Sequence, residues 1–247
     1  YIDCDVEEPN GAIFLKPELQ ESYRVKVPVP EVDPGKCNGC GDCAKACQFN
    51  ALAVIKGQVL LFPEICHHCG ACLLACPNGA IHEVEREIGI IESDVTGAFL
   101  HGRLNIGEPI SIPIIRELKK RMKTGRTVVL DCPPGASCAV VQSIGGCDYC
   151  ILVTEPTPFG LHDLKIAVEL VKKIKIPYGV VINKATGSGR MIQDFCKENG
   201  IEVLLEIPFS REIAASYSKG FLPVQDNPEW VRRFQEVYNK VERGAQV

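Results

Sequence analysis

The sequence has no long apolar run and no excess of basic charge. None of its apolar stretches reaches the roughly 18 residues that a membrane-spanning helix needs, and no secretory signal stands at its start. The net charge is −4 without a basic cluster, which argues against a nucleic acid as the partner. These absences exclude a membrane span and nucleic-acid binding, and they predict a cytoplasmic protein.

Cysteine is abundant instead, with 14 among the 247 residues. Eight of them crowd between residues 37 and 76, unlike the widely spaced cysteines of a secreted disulfide scaffold. They form two runs of identical spacing, offset by 29 residues: Cys37-x2-Cys40-x2-Cys43-x3-Cys47 and Cys66-x2-Cys69-x2-Cys72-x3-Cys76. The clustering indicates metal ligands, and the repeat predicts a module of pseudo-two-fold symmetry.

The spacing of each run is the one that bacterial ferredoxins use to hold [4Fe–4S] clusters, and the segment resembles two-cluster ferredoxins. The resemblance implies that the fourth cysteine of each run, at the start of a helix, binds the cluster of the other run. One cluster would then use Cys37, Cys40, Cys43 and Cys76, and the other Cys66, Cys69, Cys72 and Cys47. Gly41 and Gly70 would let each loop close around its cluster.

A pair of four-cysteine zinc sites is the alternative, although zinc sites favour two CxxC pairs separated by a longer loop. The first run also departs from the ferredoxin pattern, since Gln48 stands where Pro77 follows the second run. His67 and His68 lie inside the second loop, where we expect exposed polar side chains, and tuning of a cluster through hydrogen bonds is the other reading.

The remaining sequence predicts an α/β fold with a mostly parallel, doubly wound sheet. Short apolar runs suit buried parallel strands, and amphipathic stretches alternate with them. The expected strands are Thr127–Asp131, Cys150–Thr154, Tyr178–Asn183 and Val203–Ile207, and the expected helices are Leu161–Ile174, Ser188–Glu198, Arg211–Ser218 and Asn227–Val241. Residues 6–36 have no helical period and are expected to connect to the cysteine module through short strands.

Four segments outside the cysteine runs are similar to those of one ATPase class. They are Tyr1–Asp5, Val128–Gly135, Val181–Lys184 and Ile207–Phe209. Their order and spacing resemble P-loop ATPases of the MinD superfamily that carry an inserted ferredoxin domain. The resemblance implies a MinD-like nucleotide-binding domain over residues 1–30 and 83–247, without its first strand and P-loop, and an inserted α+β ferredoxin-like module over residues 31–82.

The resemblance also implies roles for six residues around ATP and Mg²⁺. Asp5 would position the attacking water, with Asp3 as the second candidate, and Asp131 would organise Mg²⁺ through water. Gly135 would offer its N–H to the γ-phosphate. Asn183 would read the adenine ring, and Pro208 belongs to the loop that would cover it.

The class needs a loop of the form KGGxGK[ST] to hold the phosphates, and these 247 residues contain none. In the family the loop would precede Tyr1, so either the N-terminus is truncated or the protein has lost nucleotide hydrolysis. The absence of an initial methionine favours truncation, and the chain as written should bind ATP poorly. ATPase activity is expected only if the full-length protein has the loop.

Three functions follow from these patterns. The first is an ATPase that couples nucleotide binding or hydrolysis to electron transfer, with a redox protein as its partner and a nucleotide-dependent homodimer as its assembly. The alternatives are a non-enzymatic electron carrier and an iron–sulfur assembly carrier. Cys138 lies where the nitrogenase iron protein of this class has a ligand for a bridging cluster, but no second cysteine is present to complete such a site.

Overall fold

The computed structural model describes residues 1–123, 125–187, 190–225 and 227–245. The chain divides into two compact units. The first contains Tyr1–Asn10 and Pro17–Asp131, and the second contains Gly11–Lys16 and Cys132–Val247.

The strands and helices alternate through most of the chain. The strands are β1 Ile2–Asp3, β2 Leu19–Val32, β3 Leu52–Ile55, β4 Gln58–Leu61, β5 Ile81–Asp94, β6 Leu100–Leu104, β7 Leu130–Asp131, β8 Cys150–Thr154, β9 Tyr178–Ala185 and β10 Val203–Pro208. The helices are α1 Gly11–Leu15, α2 Asp42–Ala46, α3 Ala71–Ala75, α4 Ile112–Lys120, α5 Cys138–Ile144, α6 Pro158–Ile174, α7 Met191–Glu198, α8 Arg211–Tyr217 and α9 Pro228–Gly244.

The first unit contains a mixed five-stranded sheet in the order β2-β5-β6-β1-β7. β1 pairs in parallel with both β6 and β7, whereas β5 runs antiparallel to β2 and β6. Helix α4 covers part of this sheet with Ile114, Ile115 and Leu118, whose exposed fraction is 0%. The register places Asp3 opposite Asp131, so two acidic strand ends lie side by side.

The expectation of short strands within residues 6–36 is wrong, because β2 extends over 14 residues. Val25, Val27 and Val29 are buried at every second position, which is the period of a strand with one buried face. Pro28 lies between Val27 and Val29, and Pro30 follows Val29. Since β2 is an edge strand, a residue without an N–H group is tolerated there.

The second unit contains a parallel three-stranded sheet in the order β10-β9-β8. The three predicted apolar runs form these strands, and the predicted helices correspond to α6, α7, α8 and α9. Residues 188 and 189, at the start of the predicted helix Ser188–Glu198, lie outside the described residues. The core of this unit joins α6, α7 and β9 through Leu164, Val168, Ile182 and Ile192.

Helices α6 and α9 each leave an apolar side chain partly exposed. In α6 the buried side chains are Leu164, Val168 and Val171, whereas Ile166 is 42% exposed. Positions i, i+4 and i+7 share a face, and a residue two positions on lies on the opposite side. In α9, Val237 packs against the sheet, but Phe234 is 40% exposed. Among the described residues no helix has the length and apolar character to cross a bilayer.

Candidate functional sites

The two cysteine runs adopt the same local structure. In each run a glycine in the left-handed region, Gly41 (φ 83°) or Gly70 (φ 70°), precedes a five-residue helix. The fourth cysteine, Cys47 or Cys76, then follows the helix in extended conformation. The expectation that this cysteine starts a helix is therefore wrong, because each of the two cysteines ends one.

Two cavities lie between the runs. The first cavity is lined by Cys37, Cys40, Cys43 and Cys76. The second cavity is lined by Cys66, Cys69, Cys72 and Cys47. Each cavity thus receives three cysteines from one run and the fourth from the other, which is the partition that the ferredoxin resemblance implies. The ligation itself stays a prediction.

The fourth cysteines are fixed by matching hydrogen bonds. The N–H of Ala51 donates to Sγ of Cys47 at 3.3 Å, and the N–H of Ala80 donates to Sγ of Cys76 at 3.2 Å. Each bond joins the sulfur to the N–H of the residue four positions on, so the two sulfur atoms are oriented in the same way. The repeat in sequence is therefore also a repeat in the polar contacts of the sulfur atoms.

Burial divides the cysteines of each cavity. Cys43, Cys66 and Cys72 are buried, whereas Cys40 and Cys69 are exposed. Burial raises the pKa of the Cys43, Cys66 and Cys72 thiols, and backbone N–H groups oppose this effect. Because the ligands must be deprotonated, binding of the metal would compensate for the burial.

The residues around the cavities fit iron–sulfur clusters. Each cavity has four thiols and an apolar wall, formed by Leu52, Ile81 and their neighbours. Within the described ranges no group of three or more histidine, cysteine or acidic side chains is arranged to hold a metal ion. The sulfur atoms of each set instead surround a cavity, as the ligands of a cube would.

The two histidines of the second loop have different surroundings. The ring of exposed His67 stacks on Phe49 with centroids 3.6 Å apart. His68 is half-buried and lines the second cavity, so its expected exposure is wrong. Burial, followed by the positive charge of Arg86, lowers the pKa of His68.

The aspartates of the first unit meet at the carboxyl ends of β1 and β7. Asp3 is 1% exposed, and its carboxylate accepts the N–H groups of Asp5 at 3.1 Å and Asn10 at 3.0 Å. Asp3 therefore supports the turn after β1. Asp131 accepts a hydrogen bond from the hydroxyl of Tyr1 at 2.5 Å. Burial raises the pKa of that hydroxyl, and the hydrogen bond to Asp131 raises it further.

Asp5 has the electrostatic character of a functional carboxylate. Burial raises its pKa, the N–H of Glu8 opposes the shift, and the negative charges of Asp131 and Glu8 add to it. A perturbed carboxyl group at a strand end is typical of functional sites. Of the three aspartates, Asp5 is therefore the strongest candidate for the catalytic role implied by the sequence.

Replacing Asp5 by asparagine is expected to raise the melting temperature at neutral pH. When the pKa of a carboxyl group is raised in the folded protein, its contribution to stability is fully present below the ordinary pKa. That contribution is lost as the pH rises through the folded value. The gain should shrink as the pH falls from neutral towards about 4, the ordinary pKa of the carboxyl group, as followed by thermal unfolding. Glu7→Gln, at an exposed position, is the control. A lower melting temperature for Asp5→Asn at neutral pH would contradict the prediction.

The other nucleotide candidates lie in the second unit. Asn183 is in β9, and its side-chain oxygen accepts the N–H of Lys184 at 3.0 Å. Pro208 ends the adjacent strand β10, where the N–H of Phe209 donates to the carbonyl of Ala185 at 3.0 Å. Gly135 has φ 88°. Asn183 and Pro208 thus lie near the carboxyl ends of neighbouring parallel strands, the edge at which α/β sheets bind ligands.

The cysteines outside the two runs have varied surroundings. Cys4 and Cys196 are buried like small apolar residues, whereas Cys150 is only partly buried. Burial raises the pKa of Cys150 to about 11, and nearby Cys147 adds to the shift. Cys138 is exposed at the start of α5.

Comparison with known proteins agrees with this geometry. A family model described as a 4Fe-4S dicluster domain matches residues 36–81. Uncharacterized protein MJ0579 of Methanocaldococcus jannaschii is 31% identical over 232 residues, which cover 91% of this chain and 81% of the relative. The chain belongs to the MJ0579 family.

Further similarities concern the α/β part. The septum site-determining protein MinD of Pyrococcus horikoshii, complexed with Mg-ADP, has a TM-score of 0.55 at 14% identity, covering 97% of this chain and 81% of that chain. Uncharacterized ATP-binding protein MJ0685 of M. jannaschii is 32% identical over 124 residues, 48% of this chain and 47% of the relative. This member of the MJ0579 family therefore has a MinD-like α/β fold with an iron–sulfur binding domain, which confirms the expected fold class and resemblance.

Sequence analysis missed an ion pair beside the second cavity. The guanidinium of Arg86 in β5 contacts the carboxylate of Glu108 at 2.5 and 2.7 Å, and it donates to the carbonyl of Pro63 at 3.3 Å. Neither residue belongs to a cysteine run, so spacing gave no signal. Only the folding of β5 brings Arg86 near Cys66. The positive charge of Arg86 lowers the pKa of the Cys66 thiol, against the larger effect of burial.

Proposed function

We propose that this protein transfers electrons through two [4Fe–4S] clusters, one in each cavity. The observation that carries the proposal is the lining of each cavity by three cysteines of one run and the fourth cysteine of the other. The clusters would supply one-electron redox chemistry when bound. The chain's own contribution is to hold eight thiolates and to keep the cavity walls apolar.

The surface of the cysteine module supports exchange of electrons with a protein partner. Cys40 and Cys69 are exposed, one at each cavity. Apolar side chains of the same module are also exposed, including Phe49, Phe62 and Leu74. Exposed apolar side chains on a module with exposed ligands offer a contact area for a redox protein.

Metal analysis of anaerobically purified protein tests this function. We expect about eight irons and about eight acid-labile sulfides per chain, together with the electron paramagnetic resonance of reduced cubes. Two zinc ions per chain, with no sulfide, would show that the cysteines form the alternative zinc sites.

A second candidate function is control of this electron transfer by ATP. The specific observation is the group of Asp5 and Asp131 at adjoining strand ends, with the pKa of Asp5 raised. The similarity to an ATP-binding protein and to a MinD complexed with Mg-ADP supports it. Asp131 would hold Mg²⁺ through water, and Asp5 would position the attacking water.

The rate of electron transfer from reduced full-length protein that contains the P-loop to an artificial acceptor separates these candidates. A rate that changes with Mg-ATP, and that loses this response in Asp5→Asn, would support control by nucleotide. Equal rates with and without Mg-ATP would leave a nucleotide-independent carrier. Glu7→Gln, which alters an exposed carboxylate of the same segment, is the matched control.

A further inference from the structure

The two cysteine loops differ at one equivalent position. His68 of the second loop corresponds, at the offset of 29 residues, to Gly39 of the first. Both residues have left-handed backbone conformations, with φ 56° at His68 and φ 72° at Gly39. Glycine adopts this conformation without strain, whereas histidine does so only at a cost. A side chain is therefore kept at this position in the second loop against the preference of the backbone.

The imidazole of His68 carries unused hydrogen-bonding capacity. It lines the second cavity together with Cys47, Cys66, Cys69 and Cys72. Both ring nitrogens are buried, and within the described part of the chain neither has a hydrogen-bond partner. A buried polar atom in a folded protein normally has one. The sulfur atoms of a cluster in this cavity are acceptors of the required kind.

Arg86 lies near the same cavity, where its charge is paired with that of Glu108 and the carboxylate of Glu83 is part of the lining. Its bonds to Glu108 and Pro63 hold the guanidinium in place, and its charge acts on both Cys66 and His68. The first cavity is lined instead by the neutral amides Asn38 and Asn78. The two cavities therefore present different electrostatic surroundings to chemically identical groups.

We propose that His68 donates a hydrogen bond to a sulfur of the second cluster and so makes it the more easily reduced of the two. A hydrogen bond to sulfur stabilises the added electron. Protein reduced by one electron would therefore hold that electron mainly on the second cluster, while the first cluster would stay oxidised. This inference rests on the proposed function, since it requires both clusters.

Redox titration of the holoprotein, followed by electron paramagnetic resonance, tests the inference. The wild-type protein should show two midpoint potentials. His68→Ala should lower the higher one, changing the partition of the electron by about tenfold, equal to about 59 mV for one electron. His68→Asn keeps an N–H donor and tolerates a positive φ, so it should restore most of the loss. Asn78→Ala, in the first cavity, should leave the higher potential unchanged.

The outcomes separate this inference from the proposed function. His68→Ala and His68→Gly should each retain about eight irons, so the midpoint potentials can be measured in either variant. Wild-type potentials that coincide, a higher potential unmoved by loss of the imidazole, or equal shifts in the alanine and asparagine variants would overturn the role of His68 and leave the clusters standing. Wild-type protein without iron would instead overturn the proposed function.

Discussion

Replacement of Cys47 by alanine is expected to remove the cluster of the second cavity and to leave the first cluster intact. Cys47 belongs by sequence to the first run, but it lines the cavity formed by Cys66, Cys69 and Cys72. A cube held by three thiolates has lost one corner, and the opened cluster would be released or degraded. Iron should fall from about eight to about four per chain, measured after anaerobic purification.

Double variants decide between crossed and uncrossed ligation. If the ligation is crossed, Cys47→Ala with Cys69→Ala damages one cluster twice and should still leave about four irons. Cys47→Ala with Cys40→Ala damages both clusters and should leave almost none. Cys40 and Cys69 suit this test because both are exposed, so their replacement disturbs the core little.

Uncrossed ligation would give the reverse result. Cys47→Ala with Cys40→Ala would then retain half of the iron, and the pair with Cys69→Ala would lose all of it. Cys138→Ala is the matched control, because Cys138 is an exposed cysteine outside both runs. It should keep the iron content of the unaltered protein.

The cysteine module was predictable because its chemistry fixes its spacing. Three sulfur atoms of a short loop must reach three corners of one cube, which leaves little freedom in sequence. The local backbone was less predictable. Helix α2 ends at Ala46, and Cys47 continues in extended conformation, which carries its sulfur to the other cavity. Nothing in the spacing showed whether Cys47 would begin or end a helix.

Strand prediction succeeded where apolar runs are paired along their length. Cys150–Thr154 forms β8 as expected, but the run Thr127–Asp131 forms a strand only at Leu130–Asp131. The reason is the partner strand, since β1 has two residues and supports no longer ladder. The length of the partner strand β1, which lies 128 residues away in sequence, cannot be read from the composition of the run itself. The burial of His68 and the position of Arg86 likewise depend on tertiary packing.

Replacement of Gly39 by alanine is expected to remove the cluster of the first cavity. A Cβ at this position would collide with the carbonyl oxygen of Gly57 and would lie 2.9 Å from its Cα. Gly57 is in the two-residue turn between β3 and β4, where Lys56 (φ 52°) and Gly57 (φ 78°) are both left-handed. Such a turn has little freedom to move away. The left-handed backbone at residue 39 would add about 1–2 kcal/mol of strain.

The equivalent substitution in the second loop supplies the control for Gly39→Ala. His68 occupies the same place in the repeat, has the same backbone region and already carries a Cβ. His68→Ala should therefore keep about eight irons, whereas Gly39→Ala should fall towards about four. Equal iron in the two variants would show that the first loop can shift away from Gly57. In that case backbone strain alone would explain the glycine at position 39. Binding of the cluster would then not need the close approach of the loop to the β3–β4 turn.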